Sequence, residues 1–116
     1  MLYGLVVCFI NASGQSFNFS KLNTYNGLSH NQINAIIRDA DGFVWFGTLA
    51  GLNRYDGYTC KIFRKRPGNP HSLPDNNIRQ LFELPHGKMW VVTMAGACIY
   101  NAETERFESD VFSYLK

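Results

Sequence analysis

The chain has 116 residues, 46% of them hydrophobic, and its 11 basic residues against 9 acidic ones leave a formal charge of +2. With no long run of either sign, this balance excludes a purely electrostatic grip on nucleic acid. The length would suit one small domain, but the elements described below fall into a repeat that divides it.

The first segment is apolar: Leu-Tyr-Gly-Leu-Val-Val-Cys-Phe-Ile at positions 2–10, followed by the small residues Ala12, Ser13 and Gly14. It is about half the ~20 residues that a membrane-spanning helix needs. It reads instead as the hydrophobic core and cleavage zone of a secretory signal peptide, so residues 1–15 are expected to direct export, although no Lys or Arg precedes the run. The alternative is a buried first strand of the fold.

Residues 33–38 form a short β-branched run ended by Asp39-Ala40-Asp41-Gly42, where Asp supplies local side-chain bonding and Gly a positive φ. Residues 43–48 are apolar on both faces, as for a strand covered from both sides, with Gly47 marking a close backbone approach. Leu49-Ala50-Gly51 turns the chain into residues 52–55, whose alternation predicts a half-exposed strand. Asp56-Gly57 is a hairpin signal before residues 58–63. Residues 64–77 contain Pro67, Gly68, Asn69, Pro70 and Pro74 and are expected to carry no regular strand over most of their length. Strands then return at 78–84, 89–93, 97–101 and 105–109.

The second set is the first set repeated. Gly42 and Gly87, Trp45 and Trp90, Thr48 and Thr93, Gly51 and Gly96, and Tyr55 and Tyr100 are each separated by 45 positions, as are Leu28 and Leu73. A period of about 40–50 residues rich in short strands and glycine is the mark of β-propeller blades. The predicted fold class is therefore all-β: four-stranded antiparallel blades of period 45, about two of them, in an incomplete propeller. A first blade with its lead-in is expected over residues 16–66, a second over 67–108, and the start of a further blade or a tail over 109–116. Closed propellers have about four to eight blades, so the chain is expected to be part of a larger protein. Val92 in place of Gly47 and Ala97 in place of Leu52 predict looser or specialised packing in the second blade.

The string Asn26-Gly27-Leu28-Ser29-His30-Asn31-Gln32-Ile33-Asn34, followed by Asp41-Gly42-Phe43-Val44-Trp45-Phe46-Gly47-Thr48 and Gly51-Leu52-Asn53-Arg54-Tyr55-Asp56-Gly57, closely resembles the regulator-propeller repeats of bacterial hybrid two-component sensors. The likeness covers about residues 17–108. It implies, for a full-length member, a signal peptide, extracytoplasmic propellers, a transmembrane helix and cytoplasmic kinase, receiver and DNA-binding parts. It further implies a periplasmic fragment of a ligand-sensing propeller that responds to glycan breakdown products and regulates transcription through a kinase absent from this sequence. The partners implied are the remaining blades of a longer parent and an oligosaccharide. No nucleic acid is expected on this segment, membrane contact is expected only through downstream segments, and self-association is expected of exposed blade faces.

No catalytic, cofactor-binding or metal-ligating residue is assigned, and the chain is not expected to be an enzyme. Asp39, Asp41 and Asp56 sit in turns, where Asp has a local backbone role, rather than forming a carboxylate set for glycoside chemistry. His30, His71 and His86 lack metal-type spacing, and Cys60 and Cys98 read as isolated thiols. Trp45 and Trp90 recur at one repeat position and so read as packing wedges rather than sugar-stacking platforms. Loop residues that differ between repeats are the better ligand candidates: Tyr25, His30, Arg64 and His71. The cluster Lys61, Arg64, Lys65 and Arg66 reads as a solvated strand end. A structural or protein-interaction role, or a truncated product without independent function, is the alternative to sensing. A polysaccharide-lyase-like propeller enzyme ranks below both.

Overall fold

The computed structural model describes residues 9–12, 15–18 and 23–109. Ten strands are described: β1 (Phe9–Ala12), β2 (Gln15–Asn18), β3 (Ile33–Arg38), β4 (Val44–Thr48), β5 (Gly51–Tyr55), β6 (Cys60–Phe63), β7 (Ile78–Leu84), β8 (Lys88–Thr93), β9 (Gly96–Asn101) and β10 (Arg106–Glu108). They make two four-stranded antiparallel meanders, β3-β4-β5-β6 and β7-β8-β9-β10, and a separate hairpin, β1-β2. The chain is all-β apart from one 3₁₀ turn, Thr24–Asn26. Of the segment read as a signal peptide, residues 1–8, 13 and 14 lie outside the described residues, as do 110–116 of the expected tail.

The two meanders are superimposable in pattern because their sequences repeat. Each opens with a bulge at the same place, between Ile33 and Ala35 in the first and between Ile78 and Gln80 in the second. Each turns from its second to its third strand over a threonine. Thr48 Oγ1 accepts from Ala50 N (3.0 Å) and donates to Gly51 O (3.0 Å), while Thr93 Oγ1 accepts from Ala95 N (3.1 Å) and donates to Gly96 O (2.7 Å). Gly51 and Gly96 follow at φ of 133° and 122°, left-handed values that a Cβ would disfavour.

Strand boundaries differ from the sequence pattern where a turn is longer than expected. The strand expected from residue 58 begins at Cys60, because Asp56 Oδ1 accepts from both Tyr58 N (2.8 Å) and Thr59 N (2.9 Å) and holds the turn through Thr59. The strand expected from 105 begins at Arg106, because Glu105 sits at φ 57°. Strand β5, expected to be half-exposed, is buried at Leu52 and Asn53, which are each 0% exposed. Leu52 lies in the core between the blades, and Asn53 is covered by the lead-in: its Oδ1 accepts from Ser29 N (2.9 Å) and its Nδ2 donates to Ser29 Oγ (2.7 Å).

The blades meet face to face. Strand β4 is buried along its whole length, because alternate residues point to opposite covered faces. Val44 and Phe46 pack with Leu28 of the lead-in. Trp45 points the other way, into a core shared with Leu73, Ile78, Leu81, Met89, Val91 and Tyr100 of the second blade. Burial of this apolar surface is the main stabilising term of such an interface, at roughly 25 cal/mol per Å². Inner strands β3 and β7 pack directly, and Asn34 Nδ2 donates to Ile78 O across the gap (2.8 Å).

At the pair for which looser or specialised packing is expected, the second blade differs by an exchange of bulk, and Val92 and Ala97 are half-buried where Gly47 and Leu52 are buried. Gly47 lies opposite Leu52 in one register and Val92 opposite Ala97 in the other, so bulk lost from one strand is regained on its neighbour. The swap conserves a small-beside-large pair.

Candidate functional site

The outer strands of the two blades meet at the Phe63 and Phe107 rings and leave a cleft beside them, which is the candidate site. Its volume is about 300 Å³. One wall is β6 with its continuation, which brings Lys61, Phe63, Arg64 and Arg66. The opposite wall is β10, with Glu105, Arg106 and Phe107, and the connection between blades supplies Asn69, His71 and Ser72.

That connection, residues 64–77, forms no strand, yet local bonds hold it tightly. Asn69 N donates to Arg66 O (3.0 Å), Asn69 Oδ1 accepts from His71 N (2.9 Å), and Ser72 Oγ accepts from Arg66 N (2.9 Å). Leu73, 1% exposed, anchors the connection in the core. Phe107 N donates to His71 O (2.8 Å), which ties the connection to β10.

Electrostatics divide the cleft in two. At its inner end Glu105 is clamped by the first blade: Arg54 Nη1 donates to Oε2 (2.8 Å) and Lys61 Nζ to Oε1 (2.7 Å). The hydrogen bond from Lys61 and then that from Arg54 hold this carboxyl below the ordinary carboxylate range. Arg54 is itself sandwiched, its guanidinium lying 4.8 Å from the Phe43 ring and 5.7 Å from the Phe63 ring. Further along, Arg64 spends its Nε on Ala50 O (2.9 Å). Arg64, Arg66 and Arg106 have no carboxylate partner among the described residues. His71 faces Glu108, Nδ1 to Oε1 3.1 Å. The lining thus holds four permanent cations against one carboxylate.

The aromatic floor is continuous with the core. Phe63 lies 5.6 Å from both Tyr100 and Phe107, and Trp45 is 4.9 Å from Tyr100 in an edge-to-face pair. Trp45 is fixed by its turn: Nε1 donates to Asp39 Oδ2 (2.7 Å), while Asp39 Oδ1 accepts from Asp41 N (2.9 Å) and Phe43 N (3.0 Å). Trp45 is 2% exposed and buried between blades. Trp90, its equivalent, is half-buried and pairs with Phe82 across the second sheet, on the face turned away from the first blade. In place of Asp39 the second blade has Leu84, so no carboxylate meets Trp90 from that position.

Of the four loop residues singled out as ligand candidates, the structure brings Arg64 and His71 into the cleft. Tyr25 and His30 lie on the lead-in over the opposite face of the first blade. Tyr25 is 93% exposed, and His30 Nδ1 accepts from Gln32 N (2.9 Å). The basic cluster read as a solvated strand end is, at Lys61, Arg64 and Arg66, one wall of the cleft. Arg106, Glu105 and Phe107 were not foreseen. The signal that could have found Arg106 is the repeat itself, since Lys61 and Arg106 are 45 apart and put a cation at the start of both outer strands. Cys60 and Cys98 are free thiols. Among the described residues no group of three or more His, Cys, Asp or Glu side chains is placed to hold a metal ion. The arrangement suits binding: charged donors converge on a part-apolar cleft.

Residues 27–50 and 72–95 match the family described as two component regulator propeller, each match running from the lead-in through the second strand of a blade. The two matched stretches fall at equivalent places in the two blades, so both halves of the 45-residue repeat resemble regulator-propeller repeats. A curated relative, Histidine kinase P4 of Formosa agariphila, is 34% identical over 73 residues, which is 63% of this chain and 5% of the relative. Among solved structures, the extracellular domain of the protein described as hybrid two component system BT3049 from B. thetaiotaomicron aligns with a TM-score of 0.70 and 31% identity. That alignment covers 77% of this chain and 13% of the neighbour. The chain therefore spans a small part of either relative and is homologous to an extracellular sensor region.

Proposed function

We propose that this chain contributes blades to the ligand-sensing propeller of a hybrid two-component sensor, non-catalytic in itself, exported to the periplasm by residues 1–15, and responsive to glycan breakdown products. The rest of such a sensor, with a kinase that regulates transcription, belongs to segments outside this sequence. The observation that carries the reading is the pair of blades, repeated at 45 residues, whose nearest surfaces form a part-apolar, hydrogen-bonding cleft instead of closing completely. Homology to an extracellular sensor domain supports it. Glycans fit the cleft because a sugar offers both an apolar C–H face and a ring of hydroxyls, matching Phe63 beside Asn69.

Binding of a panel of glycan oligosaccharides to the 116-residue chain, read by calorimetry, tests this. Saturable binding of at least one, lost when the cleft is mutated, is the expected result. A folded chain that binds none would favour the structural alternative, which has its own support in the apolar outer face at Phe82, 52% exposed, and Trp90. That face is the proposed contact for the next blade of a longer parent.

A further inference from the structure

We infer that the cleft between β6 and β10 selects acidic saccharides, those carrying a uronic carboxylate or a sulfate ester, over neutral ones; this rests on the sensing role proposed above. The first ground is the distribution of charge. The whole chain carries only +2, yet the cleft lining alone sets Lys61, Arg64, Arg66 and Arg106 against Glu105. The excess positive charge is therefore local, and it lines a concave surface, which focuses field lines.

The second ground is how these cations are used. Lys61 and Arg54 already share the Glu105 carboxylate, so their hydrogen-bonding capacity is largely committed and the inner end of the cleft keeps one positive charge in excess. Arg64 has committed one nitrogen to Ala50 O, and its terminal nitrogens, with the guanidinium groups of Arg66 and Arg106, meet no carboxylate among the described residues. Guanidinium presents a planar fork that matches a carboxylate or sulfate with two parallel hydrogen bonds. The three come from both blades, Arg64 and Arg66 following β6 and Arg106 beginning β10, and all line the one cleft.

The third ground separates a sugar from a bare anion. The apolar part of the cleft lining is the half-buried Phe63 ring, backed at 5.6 Å by the Phe107 ring of the core, which is 3% exposed. An apolar floor beside guanidinium groups suits a ring with C–H bonds on one side and an anionic substituent at its edge. Asn69, whose Oδ1 is spent on His71 N, keeps its side-chain amide hydrogens for sugar hydroxyls.

The test uses the full 116-residue chain, its strand content checked by circular dichroism, with calorimetric titration of digalacturonate and of 6-sulfated lactose. Uncharged galactobiose and lactose are the matched controls, and sodium sulfate supplies the anion without the sugar. The expected result is that each charged disaccharide binds at least about tenfold more tightly than its neutral counterpart, and that the preference shrinks with added salt. Arg66→Gln and Arg106→Gln, both exposed positions, should each weaken the charged ligands about tenfold more than the neutral ones. Lys65→Gln, an equal loss of charge outside the cleft, should change nothing. Equal or tighter binding of the neutral sugars would overturn the inference while leaving glycan sensing intact. Sulfate binding as tightly as the sulfated disaccharide would reduce the cleft to a simple anion site and also overturn it. A folded chain that bound neither pair would overturn it too, and only the wider glycan panel would then decide whether sensing falls with it.

Discussion

A Cβ placed on Gly47 would lie 2.5 Å from Cγ2 of Ile78 and 3.0 Å from its Cβ, so the second strand of the first blade approaches the inner strand of the second as closely as a hydrogen allows. Ile78 is 0% exposed and has nowhere to retreat. Gly47→Ala should destabilise the chain by about 1–3 kcal/mol, the usual cost of overpacking. Urea unfolding followed by tryptophan fluorescence measures this. A variant as stable as the parent chain would show that the blades slide apart freely.

Asp39 orients the tryptophan that fills the blade interface. In Asp39→Asn one oxygen can still accept from the turn amides, but the amide nitrogen that replaces Oδ2 cannot accept from Trp45 Nε1. Leaving that donor unpaired should cost about 1–3 kcal/mol. The melting temperature should fall and the indole emission should change. Unaltered melting would mean that the Trp45 N–H finds another acceptor.

Glu105 links acid to the blade interface. Its carboxyl is depressed by Lys61 and Arg54, so its stabilising contribution is present above the unfolded carboxylate pKa and is lost as the pH falls through the folded one. Because the side chain is 39% exposed, solvent screening keeps the contribution below about 1 kcal/mol. Glu105→Gln should lower the melting temperature at pH 7, and the gap to the parent should close as the pH falls through the depressed pKa of the folded carboxyl. A gap independent of pH would rule out the ion pairs as its source.

The thiols should react in a fixed order. Cys98, 0% exposed, has its pKa pushed up to about 12 by burial, and Cys60 is raised to about 11 by burial and by the nearby Asp56 carboxylate. Alkylation at pH 8, mapped by peptide mass, should label Cys60 slowly and Cys98 only on unfolding. Prompt labelling of Cys98 in the folded chain would mean that the interface between β8 and β9 opens locally.

The outer face of the second blade should drive association. Phe82 at 52% exposed and half-buried Trp90 occupy the positions that Ile37 and Trp45 hold on the first blade, where a neighbouring blade covers them. Light scattering should show oligomers that grow with concentration, and Phe82→Glu should reduce them. A monodisperse parent chain at high concentration would contradict this.

Much of the blade was legible before folding. Turn residues act within a few positions of themselves, so Asp39 and Asp56 could be read as turn formers, and Asp39 accepts from residues 41 and 43 as that reading requires. An unbroken apolar run marked β4 as covered on both faces, and it is buried throughout. Alternation failed at β5, because Asn53 is polar by type yet buried by three bonded partners, of which Ser29 lies 24 positions away. Nothing local announces that network. The same blindness hid the volume swap between Gly47 with Leu52 and Val92 with Ala97, which is visible only once strand register pairs them.

The 45-residue period, the strand order that follows from short turns, and the close approach at Gly47 were all written into the chain, because each depends on spacing or on the size of one side chain. The cleft had to wait for the packed blades. Lys61 and Arg106, the Arg54 and Glu105 pair, and the meeting of Arg64 with His71 across an irregular connection depend on how one sheet is set against the next. That setting comes from the burial of Trp45, Leu73 and Ile78 in a shared core, a non-directional force with no periodic trace in the loops that it brings together.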